Sequence, residues 1–180
     1  MPLTSPARTW CDIAETLSVA DLVAAGDSAL RAGCDSDALR AVLGRAFHRR
    51  GVIKARAALP LLDARARSRP ESHLRYALVS GGLPTPEVNS PIFSEHGEWL
   101  AEPDLHYQPA RLALEYNGAD HGDPRRMRHD ITRDLDYQWA GWRVITFGPK
   151  QVFGRPDQIA SLVRAVLAER APSLLRRAAR

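Results

Sequence analysis

Apolar residues recur at helical spacing from the start of the chain to about residue 66, with little strand-like alternation. Ser5 followed by Pro6 makes an N-cap and first-turn pair and predicts a first helix. Ser18 with Asp21 three residues on has the form of a capping box, and Leu22, Val23, Ala25 and Leu30 then supply the inner stripe of a second helix. Gly33 stops it. A third helix is predicted from about Ser36, with Leu39, Val42, Leu43 and Phe47 at helical spacing. Gly51 interrupts, and residues 52–62 give a fourth helical stretch. This Ala- and Leu-rich region carries no group of catalytic type and reads as a helical linker or packing region over residues 1–66.

Beyond it the pattern changes to mixed helix and strand. Residues 68–81 predict a helix, followed by the turn Leu83-Pro84-Thr85-Pro86. Residues 88–93 and 98–107 read as strands joined through the turn-rich segment 94–97. Residues 111–116 alternate, with Leu112, Leu114 and Tyr116 facing one way and Ala113, Glu115 and Asn117 the other. Gly118 ends that strand. Asp123-Pro124 open a helix to about residue 140, with Met127, Ile131, Leu135 and Trp139 as its apolar stripe, and Trp139 and Trp142 read as core. A short buried strand at 143–147 and an amphipathic helix at 158–170 complete the order helix, three strands, helix, strand, helix. The expectation is an α/β (α+β) fold over residues 67–180, a mixed β-sheet flanked by helices and preceded by the small helical region.

Composition narrows the function classes. The 180 residues are 44% hydrophobic, enough for an ordinary globular core. Twenty-five basic side chains against 21 acidic ones leave a formal charge of +4. Only Lys54 and Lys150 are lysines, and the planar fork of arginine suits phosphate better than a point charge does. Arg45, His48, Arg49, Arg50, Lys54 and Arg56 cluster in the helical region, as a solvated face or a phosphate contact. No run approaches the ~18 consecutive apolar residues of a membrane span, and no secretion signal is read at the start. Two cysteines, Cys11 and Cys34, exclude a disulfide framework and a thiolate-rich zinc site. The expectation is a cytoplasmic protein with no membrane partner.

The candidate chemistry lies at strand ends. Asp104 stands late in one predicted strand and Glu115 in the next. A carboxylate in an apolar strand is costly to bury unless it is paired or binds a cation. Two on neighbouring strands repel, and a hard divalent ion with oxygen ligands, Mg²⁺ or Mn²⁺, relieves that repulsion. Pairing of each acid with an arginine of the following helix is the alternative.

The run Ser68-Arg69-Pro70-Glu71-Ser72, then Pro103-Asp104-Leu105, Glu115-Tyr116-Asn117-Gly118 with His121, Arg128-His129-Asp130 with Arg133, and Ala140-Gly141-Trp142-Arg143-Val144 resembles the PD-(D/E)XK restriction-endonuclease-like superfamily. The branch is the short actinobacterial one similar to very-short-patch-repair endonucleases. Longer relatives carry a winged-helix, antitoxin-like segment before the helical linker, and no such segment is read here. The resemblance implies a metal-dependent phosphodiesterase site. Asp104 and Glu115 would be the acids of the first and second core motifs, with the Tyr116 peptide carbonyl as a further metal ligand. Glu71 would help hold a metal-bound water, although its spacing from Ser68 equally makes it a capping-box residue.

The chain departs from that pattern at Asn117, where the superfamily has Lys and close relatives have Asp. In the repair-endonuclease branch a nearby histidine takes over proton handling, and His121 fits that role. Asp130, Arg133 and Tyr137 share a helix face by spacing, so Arg133 would clamp a phosphate or steady Glu115 while Asp130 orients His121 or Arg133. An exposed salt-bridge row is the plainer reading of the same residues. Arg125, Arg126, Arg128 and Arg133 are the candidate nucleic-acid contacts. Lys150, past the last strand, is read as a surface residue or a migrated catalytic lysine. The expected function is Mg²⁺-dependent hydrolysis of DNA backbone phosphodiester bonds. The alternative is a catalytically weak or inactive nucleic-acid- or protein-binding module of a toxin–antitoxin-like or DNA-repair system, acting with a partner protein or as a homodimer.

Overall fold

The computed structural model describes residues 4–94, 96–118 and 137–178. The chain divides into two compact units, Met1–Tyr76 and Ala77–Arg180, with the division inside a helix rather than at the change of pattern near residue 66.

The first unit holds α1 (Pro6–Ile13), α2 (Val19–Arg31), α3 (Ser36–Gly44), α4 (Val52–Ala58) with a 3₁₀ turn at Leu59–Leu61, and the start of α5 (Arg69–Ser80). Side-chain caps start the first three helices. Ser5 Oγ accepts from the Arg8 N–H, Ser18 Oγ from the Asp21 N–H, and the Asp35 carboxylate from the Asp37 N–H. Helix α2 ends in a left-handed Gly33 (φ 90°), with the Cys34 N–H reaching back to the Ala29 carbonyl and the Gly33 N–H to that of Leu30. Trp10, Leu22, Val23, Leu39, Leu43, Ala55 and Ala58 form the core, and the Trp10 indole N–H donates to the Leu22 carbonyl at 2.9 Å. Gly51 also sits at positive φ (79°), where a Cβ would collide with the Ala14 carbonyl. One expectation changes. Helix α3 closes at Gly44 through tight bonds from Arg45 to Val42 and from Ala46 to Leu43, so Phe47 falls outside the stripe and is exposed.

A buried polar network fixes this unit. Asp27 is fully buried and accepts from the Asp63 N–H (2.7 Å), the Ser72 hydroxyl (2.7 Å) and Arg75 Nη2 (2.6 Å). Arg75 also donates to the Leu61 carbonyl. The Asp27 carboxylate thereby joins α2 to α5 and to the segment before it.

The second unit is built on strands β1 (Glu87–Val88), β2 (Ile92–Phe93), β3 (Trp99–Ala101), β4 (Leu105–Tyr107), β5 (Leu112–Tyr116) and β6 (Arg143–Phe147). The main sheet has the order β1-β4-β5-β6, antiparallel except for the parallel pair β5–β6, while β2 and β3 form a separate antiparallel pair. Helices α6 (Pro149–Gly154), α7 (Pro156–Arg170) and α8 (Pro172–Ala178) follow. The fold class is therefore α+β, with a mixed sheet and flanking helices. Each of the two long strands expected over 88–93 and 98–107 is divided between the two sheets. The first turns at Asn89, which takes a left-handed φ of 41°, and the second is interrupted around Pro103, which has no N–H for a ladder. Helix α7 buries Ile159, Ala160, Val163, Val166 and Leu167, one stripe at helical spacing. Arg170 at its end donates to the carbonyls of Ala110, Arg111 and Gly141.

Residues 137–139 are helical and end at a left-handed Gly141 (φ 72°), with the Trp142 N–H bonded to the Tyr137 carbonyl at 2.8 Å. Trp142 is buried, but Trp139 is 82% exposed, which corrects its assignment to the core. Tyr137 occupies the inward position, and two residues further round a helix faces the opposite way. Among the described residues no helix is long and apolar enough to cross a membrane.

Breaking a buried ion pair leaves its partner charged and unsolvated, so Asp27→Ala is predicted to destabilise the first unit by about 3–5 kcal/mol. Asp37→Ala, which removes an exposed pair with Arg40, is predicted to cost about 1 kcal/mol or less. Urea unfolding followed by circular dichroism checks both; equal effects would contradict the assignment.

Candidate functional site

The β4–β5 register pairs Leu105 with Leu114, His106 with Ala113 and Tyr107 with Leu112. Continued by one residue, it sets Asp104 opposite Glu115. Glu115 belongs by alternation to the face that carries Ala113, and Asp104 stands in the bend just before β4. Glu115 is in turn opposite Thr146 of β6. The next step of the ladder would set Pro103 against Tyr116. Proline has no N–H to offer the Tyr116 carbonyl, and the Tyr116 N–H donates to Asp104 Oδ2 at 2.8 Å. The Glu115 carboxylate is held from above the sheet by the Tyr137 hydroxyl, which donates to Oε1 at 3.2 Å. Both acids are half-buried.

The same face continues one row along the strands. His106 lies opposite Glu87 of β1 and opposite Ala113, and its ring meets Trp142 edge-on with centroids 5.7 Å apart. Ala113, Tyr137 and Trp142 share one apolar cluster with Ile92 and Ala101. His106 is 1% exposed, and among the described residues its Nδ1 has no hydrogen-bond partner while Nε2 lies 3.6 Å from Glu87 Oε2. Burial pushes the imidazole below the ordinary histidine value, against the opposing pull of the Glu87 carboxylate. His106 is accordingly neutral at neutral pH. Composition offered no sign of it. The usable signal was parity: His106 pairs with Ala113, which shares its face with Glu115 on an alternating strand.

The remaining predicted site residues divide into two groups. Asn117 is exposed immediately after β5, its N–H bonded to the Phe147 carbonyl. Strands β5 and β6 run parallel and end together there, and Lys150 stands in the first turn of α6 beyond the same edge. Glu71 belongs to the first unit, where its carboxylate accepts from the Arg67 N–H at 2.8 Å and its own N–H bonds Ser68 Oγ at 3.3 Å. It closes the start of α5 as a cap. His121, Arg125, Arg126, Arg128, Asp130 and Arg133 lie outside the described residues.

The donor set suits a hard cation. Two carboxylates and a strand-end carbonyl are all oxygen ligands, the type that Mg²⁺ and Mn²⁺ take. Among the described residues no cluster of three or more His, Cys, Asp and Glu side chains is arranged to hold a metal, so a cation here would rest on the Asp104–Glu115 pair with water.

No family model matches the chain, and no solved structure matches it. Two uncharacterized proteins of Mycobacterium tuberculosis, from strains CDC 1551 / Oshkosh and ATCC 25618 / H37Rv, are each 33% identical over 163 residues. The match takes in 89% of this chain, which spans 59% of the length of those relatives.

The buried histidine has a pH signature. Its folded-state pKa lies below the unfolded value near 6.5, so the stabilisation is complete above that value and is lost as pH falls through the folded one. His73, also lowered by burial despite its contact with Asp21, acts with the same sign in the first unit. Thermal unfolding is predicted to shift down between about pH 7.5 and about pH 5.5, and less so in His106→Leu. An identical shift in the variant would contradict the assignment.

Proposed function

We propose that the chain is a divalent-metal-dependent endonuclease that hydrolyses DNA backbone phosphodiester bonds, a distant relation of the PD-(D/E)XK enzymes. One observation supports the reading: the β4–β5 register, continued past Leu105, brings Asp104 toward Glu115, where two carboxylates could share a hard cation. Asp104, Glu115 and the Tyr116 carbonyl would hold Mg²⁺ or Mn²⁺, which when bound lowers the pKa of its water and neutralises charge developing on a phosphate.

The chain's own groups have distinct tasks in this reading. The Tyr116 N–H and the Tyr137 hydroxyl fix the two carboxylates, so that neither must reorganise when substrate arrives. In the sequence pattern His121 manages the proton, Asp130 orients His121 or Arg133, Arg133 clamps a phosphate or steadies Glu115, and Arg125, Arg126 and Arg128 bind phosphate. Asn117, at the shared end of β5 and β6, brings no charge where the PD-(D/E)XK pattern has Lys. That neutral residue favours a second reading, a weakly active or inactive nucleic-acid- or protein-binding module of a toxin–antitoxin-like or DNA-repair system.

Purified protein is predicted to nick supercoiled plasmid with Mg²⁺ or Mn²⁺, and Glu115→Gln to reduce this by about 100-fold or more without loss of circular-dichroism signal. Asn117→Asp is predicted to tighten Mn²⁺ binding measured by calorimetry, since it adds a charge beside the cation. Salt-sensitive DNA binding without cleavage under any divalent ion would favour the binding module instead.

A further inference from the structure

The second unit has a cleft of about 390 Å³ whose walls include Phe93, His96, Gln108, Arg111, Trp139 and Trp142. We infer that this cleft takes a single unpaired nucleobase of a DNA strand. The inference rests on the proposal that DNA is the substrate and adds which form of it the protein grips.

Three features point to that ligand. First, Trp139 and Phe93 turn large rings to solvent at one cleft, being 82% and 48% exposed. Scattered apolar exposure is ordinary, but two aromatic rings beside convergent polar groups make a stacking platform. Second, the polar lining among the described residues consists of Arg111, His96, Gln108 and Ser94. Arginine supplies positive charge for a backbone phosphate, and the Gln108 amide both donates and accepts, as the edge of a base requires. Third, the walls are fixed in advance. Arg111 adopts a left-handed φ of 44° and its Nη1 donates to the Ala140 carbonyl at 3.2 Å. Its guanidinium lies over Gly141, where a Cβ would stand 3.1 Å from Nη1. Arg170 ties the backbone on both sides by donating to the carbonyls of Ala110, Arg111 and Gly141. A preformed cleft spares the ordering cost of binding.

A base inside a duplex has both faces stacked and its edge paired, so only an unpaired or extruded base can enter. The cleft also adjoins the carboxylate face. Trp142 lines it and meets His106, two residues from Asp104, while Trp139 follows Tyr137, the donor to Glu115, by two residues.

The test is fluorescence anisotropy with a fluorescein-labelled oligothymidine strand and a labelled duplex of equal length, in low salt without divalent ions. The single strand is expected to bind more tightly. Trp139→Ala should weaken it by about tenfold or more while leaving duplex affinity within about twofold, and Trp139→Phe should retain most of the single-strand affinity. Trp139 is exposed, so neither variant threatens the core. Unchanged single-strand affinity in Trp139→Ala, or an equal loss for both DNA forms, overturns the inference. Trp139-dependent binding in a protein that cuts nothing would uphold the cleft and sink the nuclease reading. Metal-dependent nicking with no Trp139 effect on binding would do the reverse.

Discussion

The pairing of β4 with β5, in the register that brings Asp104 toward Glu115, is the constraint on which the proposed site depends. A slip of one residue would send one carboxylate to the opposite face. The register is held by burial: Leu105, Leu112 and Leu114 are fully buried, and on the other face Ala113 packs with Tyr137 and Trp142. Each carboxylate has a local donor, a backbone N–H for Asp104 and a phenol hydroxyl for Glu115.

Much of the helical region was legible because its signals are local. Ser5, Ser18 and Gly33 act within one turn of where they stand, and caps and left-handed stops need no tertiary context. Strand length was less legible. Residues 88–93 and 98–107 are each apolar enough for one strand, yet Asn89 and the Pro103 segment divide them between two sheets. That division follows from which edge each half meets, a long-range matter. Trp139 was misplaced for a related reason. A helical stripe drawn through Ile131 and Leu135 extends to it, whereas the side chain that reaches the sheet at the helix end is Tyr137.

The candidate site shows the same split. The acids Asp104 and Glu115 stood out because charge in an apolar strand is costly, and alternation placed Glu115 on the Ala113 face. Their supports did not stand out. The Tyr116 N–H, the Tyr137 hydroxyl and the His106–Trp142 contact become visible only when register and helix rotation are known. The cleft was equally silent, since its walls come from the β2–β3 turn, the start of β5 and the turn at Gly141. Glu71 had two readings from its spacing; its carboxylate bonds the backbone at the start of α5.

The account turns on whether oxygen atoms of Asp104 and Glu115 share one cation. An anomalous-difference map from a crystal soaked in Mn²⁺, with data collected at the manganese edge, measures this directly. The account predicts a peak within coordinating distance of both carboxylates, absent in Glu115→Gln. A map with no peak at that position, or with manganese bound only elsewhere, would contradict it.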